Sequence, residues 1–387
     1  LHRLAKRYIL PLQLRLLEET SEQELRALSV RSRMDGEEVL DAIQPFAEGF
    51  DREMGETFRF LRDHHLYDIE YGETKLPTGY TVALPAYGSA FIFNSPYGDY
   101  QDLSDTVHEF GHFFETFHCA QHDLWTDFNI DVGEIHSQAL ELIFAGQAEQ
   151  LFGERYGEAY RNAVLYNILD SILDGCLYDE FQTAAYQNPE MTAEELNRLF
   201  KVLSEDYGYS YGPGVDADPA WVENGHNFQN PLYFISYATS ALSALDLWFL
   251  YLDRPREAKE TYLELSALSL SMPYMAAVEE TGLRDIFEPE TVPALSETLE
   301  EYLDGRPISY GEQRGGTAGR FEEILLILCF VLVTLGAVLR LRRAQRQRAE
   351  RRRDANDPWP SQERRETFRR SGPDPWSGQD KKPPWEL

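Results

Sequence analysis

The sequence predicts a mainly α-helical body holding one small β-sheet, followed by a single membrane-spanning helix and a disordered tail. Three observations predict this. Apolar residues recur every three or four positions through 36–62 and 134–206, the period of helices with one buried face. Between Tyr67 and Asn94, Gly and Pro punctuate short aromatic and β-branched runs, which is strand chemistry. Residues 324–339 then run without a charge, and eight arginines follow between Arg340 and Arg353.

In chain order, residues 1–33 have helical periodicity, and Ser21 with Glu24 forms a capping box. From Gly36 to Arg62, Val39, Ile43, Phe46, Phe50, Met54 and Phe58 make one apolar face, which predicts a single helix kinked at Pro45. The runs Gly79–Val82 and Ala90–Phe93 predict a small sheet with 90–94 as its edge strand, or an ordinary hairpin under the helices. Asp102, Ser104 and Asp105 offer N-caps to the next helix. Helices are expected over 134–152, 154–186 and 192–206, the last capped by Thr192 and Glu195, and Tyr207–Gly225 reads as a long loop. Three or four closing helices fill 240–303, broken at Pro255 and Pro273.

The chemistry is concentrated in Val107-His108-Glu109-Phe110-Gly111-His112, an HExxH motif. Residues four apart on a helix lie one above the other, so His108 and His112 can face one metal ion. Glu109 points about 100° round the helix, beside the metal, where it can hold a water rather than bind the ion. The bland alternative is a solvated helix with two idle histidines. Zinc wants a third protein ligand and an open position. Glu134, at the start of the next apolar helix, is the candidate, and Glu141 lies two turns later on the same face. There Glu141 either accepts a hydrogen bond from a ligand histidine or is a plain surface carboxylate. His118 and His122 repeat the four-residue spacing without the following Glu, and read as helix-end polar residues.

Taken with Glu134-x-x-Ser137-Gln138-x-x-Glu141, the motif resembles the thimet oligopeptidase and oligoendopeptidase F family of zinc metallopeptidases. Lys75–Tyr80 and Ala90–Asn94 resemble that family's Gly-Tyr segment and active-site edge strand. His226-Asn227-Phe228 and Tyr233–Thr239 resemble its His…Tyr-x-x-x-Tyr-Ala-Thr block. The resemblance runs in order from about Gly36 to Leu303. It implies one Zn²⁺ per chain on His108, His112 and Glu134, with Glu109 as the catalytic base. It implies His226, Tyr237 and Tyr233 as oxyanion donors, and a peptide strand paired along Ala90, Phe91, Ile92 and Phe93. By spacing alone, Tyr233 and Tyr237 share a helix face, which serves core packing equally well. The family's substrates are short unstructured peptides, and its members usually carry a further helical region before this point. The chain starts at Leu1 without a Met and reads as N-terminally truncated. Two positions depart from the pattern. His136 stands where the family has Pro, close enough to crowd or reach the metal, and Glu115 replaces a His frequent three residues beyond the motif.

The domain reading follows: a catalytic domain over 1–304, a Gly-rich linker over 305–320, a transmembrane helix over 321–341 and a basic tail over 342–387. Sixteen uncharged residues rise about 24 Å, and their flanks extend the span toward a ~30 Å bilayer core. A buried core helix is the alternative. The positive-inside rule puts the arginines in the cytoplasm and the catalytic domain outside it; a cytoplasmic active site is the reverse topology. Charge agrees with the division. Net charge is −30 overall, but 14 Lys+Arg against 8 Asp+Glu from Arg340 onward leave −36 on the body. That acidity argues against nucleic-acid binding and otherwise serves mainly solubility. Cys119, Cys176 and Cys329 are too scattered for a disulfide framework. A catalytically inactive membrane protein on the same scaffold, binding peptides or a partner, is the rival from another functional class.

Overall fold

Helices make up most of the described chain, and local side chains set their ends. The computed structural model describes residues 1–76, 78–119, 129–209, 220–268 and 272–310. The expected transmembrane helix 321–341, the tail, His122 and Cys329 lie outside the described residues, as do the linker beyond Tyr310 and 210–219 of the long loop. Capping boxes close the N-termini of Glu22–Arg31 through Ser21 and of Ala193–Asp206 through Thr192, as expected. A third, Asp35 with Glu38, starts Gly36–Phe50.

The expected single helix over 36–62 is two. Pro45 is accommodated inside Gly36–Phe50, and the break falls at Asp51, whose extended backbone (φ −150°) and side chain cap Arg52–Asp63. A free N-cap settles the position better than a proline, which removes only one donor. The anticipated face survives the break, since Val39, Ile43, Phe46, Phe50, Met54 and Phe58 are all buried.

The motif helix, Gln101–His118, lies between the sheet and the helix Ile135–Phe144. Leu103, Val107, Phe110, Phe113 and Phe114 anchor it in the core. Asp102, Ser104 and Asp105 do not cap it; they lie inside its first turns. Asp102 instead accepts the N–H groups of Tyr97 (2.6 Å), Gly98 (2.7 Å) and Asp99 (3.1 Å), which fixes the loop that leads in. His118 ends the helix and packs on the Phe114 ring, 4.0 Å between centroids.

The sheet has three strands in the order β1 (Tyr67–Asp68), β3 (Ser89–Asn94), β2 (Gly79–Leu84). β3 is therefore central, which corrects the expectation that 90–94 forms the edge. β1 pairs parallel to it at Ile92 and Phe93, and β2 pairs antiparallel along its whole length. A two-residue strand carries no periodicity, so nothing in the sequence announced β1. The outer edge strand beside the motif helix is β2.

The long helix Glu154–Gln187 crosses Ile235–Asp253, which in turn packs on Ile135–Phe144. Gly175 permits that crossing: a Cβ there would stand 2.8 Å from the Phe234 carbonyl oxygen and 2.9 Å from Ala238 Cβ. Ile235–Asp253 is apolar and long enough to cross a membrane, but 78% of its apolar window is buried within the body, so it serves as a core helix. The helices Pro255–Ser266, Tyr274–Thr281 and Thr291–Leu303 close the structure as anticipated.

Gly175→Ala should cost about 1–3 kcal/mol of stability, read as a lower urea midpoint at unchanged m, because backbone cannot yield to the new methyl. A second prediction concerns Asp174 on the long helix. Burial, then the charge of Asp170, pushes its carboxyl up to about 7. A carboxyl raised in the fold favours folding in its neutral form, so its contribution is full below pH ~4 and is lost as pH rises toward 7. Asp174→Asn should therefore raise Tm at pH 8 relative to the parent, and change it little at pH 4.

Candidate metal centre

His108 and His112 leave the motif helix one turn apart, and their Nε2 atoms lie 3.2 Å from each other. Glu134 Oε2 is 3.1 Å from His108 Nε2 and 3.3 Å from His112 Nε2. The three atoms form a nearly equilateral triangle. Ligands held about 2.0–2.1 Å from one tetrahedral ion lie roughly 3.3 Å apart, so the triangle has the size that one ion requires. The donor set, two imidazoles and a carboxylate, suits a divalent transition metal.

Backbone geometry brings the carboxylate there. Glu134 is the junction between the short turn Ile130–Gly133 and Ile135–Phe144, rather than a residue within the helix. Ser137 Oγ has the Glu134 carbonyl oxygen (3.1 Å) and Oε2 (3.2 Å) within hydrogen-bond distance of its one proton. The two helices approach closely because position 111 is glycine; a Cβ there would stand 2.9 Å from Ser137 Cα. Glu141 reaches His108, whose Nδ1 lies 2.7 Å from Oε1. With the proton on Nδ1, the Nε2 lone pair turns toward the triangle.

The electrostatics match a ligand set. Burial works against charge on all three groups. Nevertheless, the hydrogen bonds and charges of Glu134 and Glu141 lift His108 well above the ordinary histidine range. His112 is also raised, chiefly by Glu134 once burial is overcome. Against its own burial, Glu134 is held well below the usual carboxylate range by His112 and His108. The Glu134 carboxylate thus draws positive charge to the two imidazoles, the same attraction it would offer a cation.

Glu109 occupies the adjoining position. Its carboxylate meets β2, where Thr81 Oγ1 lies 2.7 Å from Oε2 and 2.9 Å from the Glu109 carbonyl oxygen. A Cβ on Gly79 would stand 3.3 Å from Glu109 Oε1.

His226, Tyr233 and Tyr237 gather opposite. The Tyr233 and Tyr237 rings are 4.9 Å apart, and the His226 ring is 4.9 Å from Tyr233 and 6.3 Å from Tyr237. Tyr233 O–H lies 3.4 Å from Glu134 Oε1. The two tyrosines do not share a helix face, because the helix starts only at Ile235. Tyr233 is delivered instead by a turn, in which its N–H bonds to the Asn230 carbonyl and Leu232 takes a left-handed φ of 64°. Ser236 Oγ, 2.6 Å from Asp131 Oδ1, ties this segment to the residues leading into Glu134. Burial, and then Glu134, raise both phenols, so both stay protonated. Burial lowers His226, which favours its neutral form.

His136 does not reach the triangle. It is fully buried, 3.3 Å from Glu115 Oε2 and edge-on to the His112 ring at 5.4 Å. Thus the two departures from the family pattern touch one another. Burial pushes Glu115 up to about 8 and drives His136 well down, so both are neutral near pH 7. His112, Glu115 and His136 are a second group of potential ligands, of which Glu115 and His136 are buried. In the first group both histidines are partly open to solvent.

Of Ala90–Phe93, the expected peptide-pairing strand, all four pair with β2, and Ile92 and Phe93 also pair with β1. They lie in the central strand, with Ala90 and Ile92 fully buried. Sequence reasoning missed Thr81, since its contact with Glu109 spans 28 positions and leaves no mark in spacing.

No family profile matches the chain, and no curated protein matches it by sequence. Solved structures do match. A protein assigned as oligoendopeptidase F is 25% identical with a TM-score of 0.70, over 78% of this chain and 57% of its own. The chain has the oligoendopeptidase F fold. PZ peptidase A, solved with an inhibitor, is 22% identical with a TM-score of 0.71, over 79% of this chain and 57% of its own. Another assigned oligoendopeptidase F, from Bacillus anthracis, is 22% identical with a TM-score of 0.66, over 79% and 55%. The chain spans little more than half the length of these structures. Of the residues that carried the resemblance in sequence, His108, His112, Glu134 and Glu141 are in mutual contact, and the Tyr233 hydroxyl reaches Glu134.

Metal titration with elemental analysis should find one equivalent per chain, lost in His108→Ala and in Glu134→Ala. Glu141→Gln should weaken the affinity about 10- to 100-fold without abolishing binding.

Proposed function

We propose that this chain is a zinc metallopeptidase that hydrolyses peptide bonds of short oligopeptides. The observation that carries the reading is the 3.1–3.3 Å triangle of His108 Nε2, His112 Nε2 and Glu134 Oε2, with Glu109 beside it. Zinc, when bound there, polarises a carbonyl and acidifies a water.

The remaining work belongs to the chain. Glu109 accepts the proton of the attacking water and delivers it to the leaving amine. Tyr237 and Tyr233 donate O–H, and neutral His226 donates N–H, to the oxygen on which charge develops. Asn230 Nδ2, 3.4 Å from His226 Nδ1, favours the tautomer that leaves the proton on Nε2. Because β3 is the central strand, paired along its length with β2 and at Ile92 and Phe93 with β1, we assign the extended substrate to the free edge of β2, where main-chain groups can pair with it. The restriction to short peptides comes from the family resemblance. The sequence alone supports the tether at 321–341 and an extracytoplasmic body, and both remain part of the proposal. Protease protection of the body in sealed vesicles tests the topology, and digestion of the body from the cytoplasmic face would reverse it.

Glu109→Gln should retain zinc and lose cleavage of a quenched peptide by about 10²–10⁴-fold. Tyr237→Phe should lower kcat by about 10²–10³-fold with little change in KM. Cleavage that survives Glu109→Gln would sink the mechanism.

A further inference from the structure

We propose that Thr81 is the positioning residue for the Glu109 carboxylate, and that Gly79 keeps the other carboxylate oxygen open. The inference rests on the reading of Glu109 as the base. A hydroxyl has one proton to donate, and Thr81 Oγ1 has two acceptors in range on the same residue. These are Glu109 Oε2 at 2.7 Å and the Glu109 carbonyl oxygen at 2.9 Å. While Glu109 is ionised, its charge makes Oε2 the stronger acceptor, and the bond pins one end of the carboxylate. Oε1 is then the oxygen left to take the proton from water. Gly79 stands beside it, and a Cβ there would crowd Oε1 at 3.3 Å.

The Thr81 proton never leaves its oxygen; the transferred proton passes from water to Glu109 Oε1 and then to the amine nitrogen. β2 pairs with β3 through Thr81↔Ile92, so the sheet that meets the substrate also aims the base.

The test compares Thr81→Val, which keeps the shape and removes the hydroxyl, with Thr81→Ser, which restores it. Thr81→Val should lower kcat about 10- to 100-fold, the loss expected for a hydrogen bond to a charged group, with KM within about twofold of the parent. Thr81→Ser should recover most of the rate. An independent readout needs neither substrate nor metal: the infrared carboxylate band of Glu109, isolated by difference against Glu109→Gln. That band should shift in Thr81→Val and not in Thr81→Ser. Thr81→Ala replaces the valine variant if the latter does not fold. An unmoved band with parental kcat overturns the proposal. If Glu109→Gln still cleaves peptides, the assignment of the base fails, and the infrared band alone decides whether Thr81 holds the carboxylate.

Discussion

One carboxylate oxygen, Glu134 Oε2, stands almost equally far from two imidazole nitrogens, and the rest of the structure makes that possible. Two helices must approach until Gly111 meets Ser137, at a distance that no Cβ would tolerate. The helix that Glu134 opens also supplies Glu141 to His108, so the carboxylate of the triangle and the brace of one of its imidazoles sit at the same end of the fold. Displacing Ile135–Phe144 by an ångström would disturb both contacts together.

Such a cluster is costly to bury. Two imidazoles and several carboxylates lose hydration, and a buried charge is tolerated only when it is paired. The surrounding core absorbs that cost. Phe58, Phe110, Phe113 and Phe114 pack the motif helix into the core, and the apolar helix Ile235–Asp253 packs on Ile135–Phe144. Elsewhere the fold uses the same rule for structure alone: buried Asp246 is satisfied by the Arg284 backbone N–H (2.8 Å), the Arg284 guanidinium (2.5 Å) and the Tyr310 hydroxyl (3.0 Å).

Local features were legible in the sequence. Capping boxes at Ser21 and Thr192, the apolar face from Val39 to Phe58, and the HExxH spacing depend on neighbours within a turn or two, and each is found as read. Non-local features were not. The place of β3 at the centre of the sheet depends on a two-residue strand that pairs with Ile92 and Phe93. The turn that delivers Tyr233 depends on a strained Leu232, and the helix break at Asp51 on competition between a cap and a proline. His136 and Glu115 looked like two separate departures; only the fold reveals that they are in contact behind His112. Thr81 belongs to the same class, a side chain whose importance lies wholly in what the sheet brings to it.

The most direct test of the central claim is anomalous diffraction at the zinc edge from crystals of the zinc-loaded protein. One peak is expected, about 2.0–2.2 Å from His108 Nε2, His112 Nε2 and a Glu134 carboxylate oxygen. A peak among His112, Glu115 and His136 instead, or no peak beside the motif helix, would contradict it.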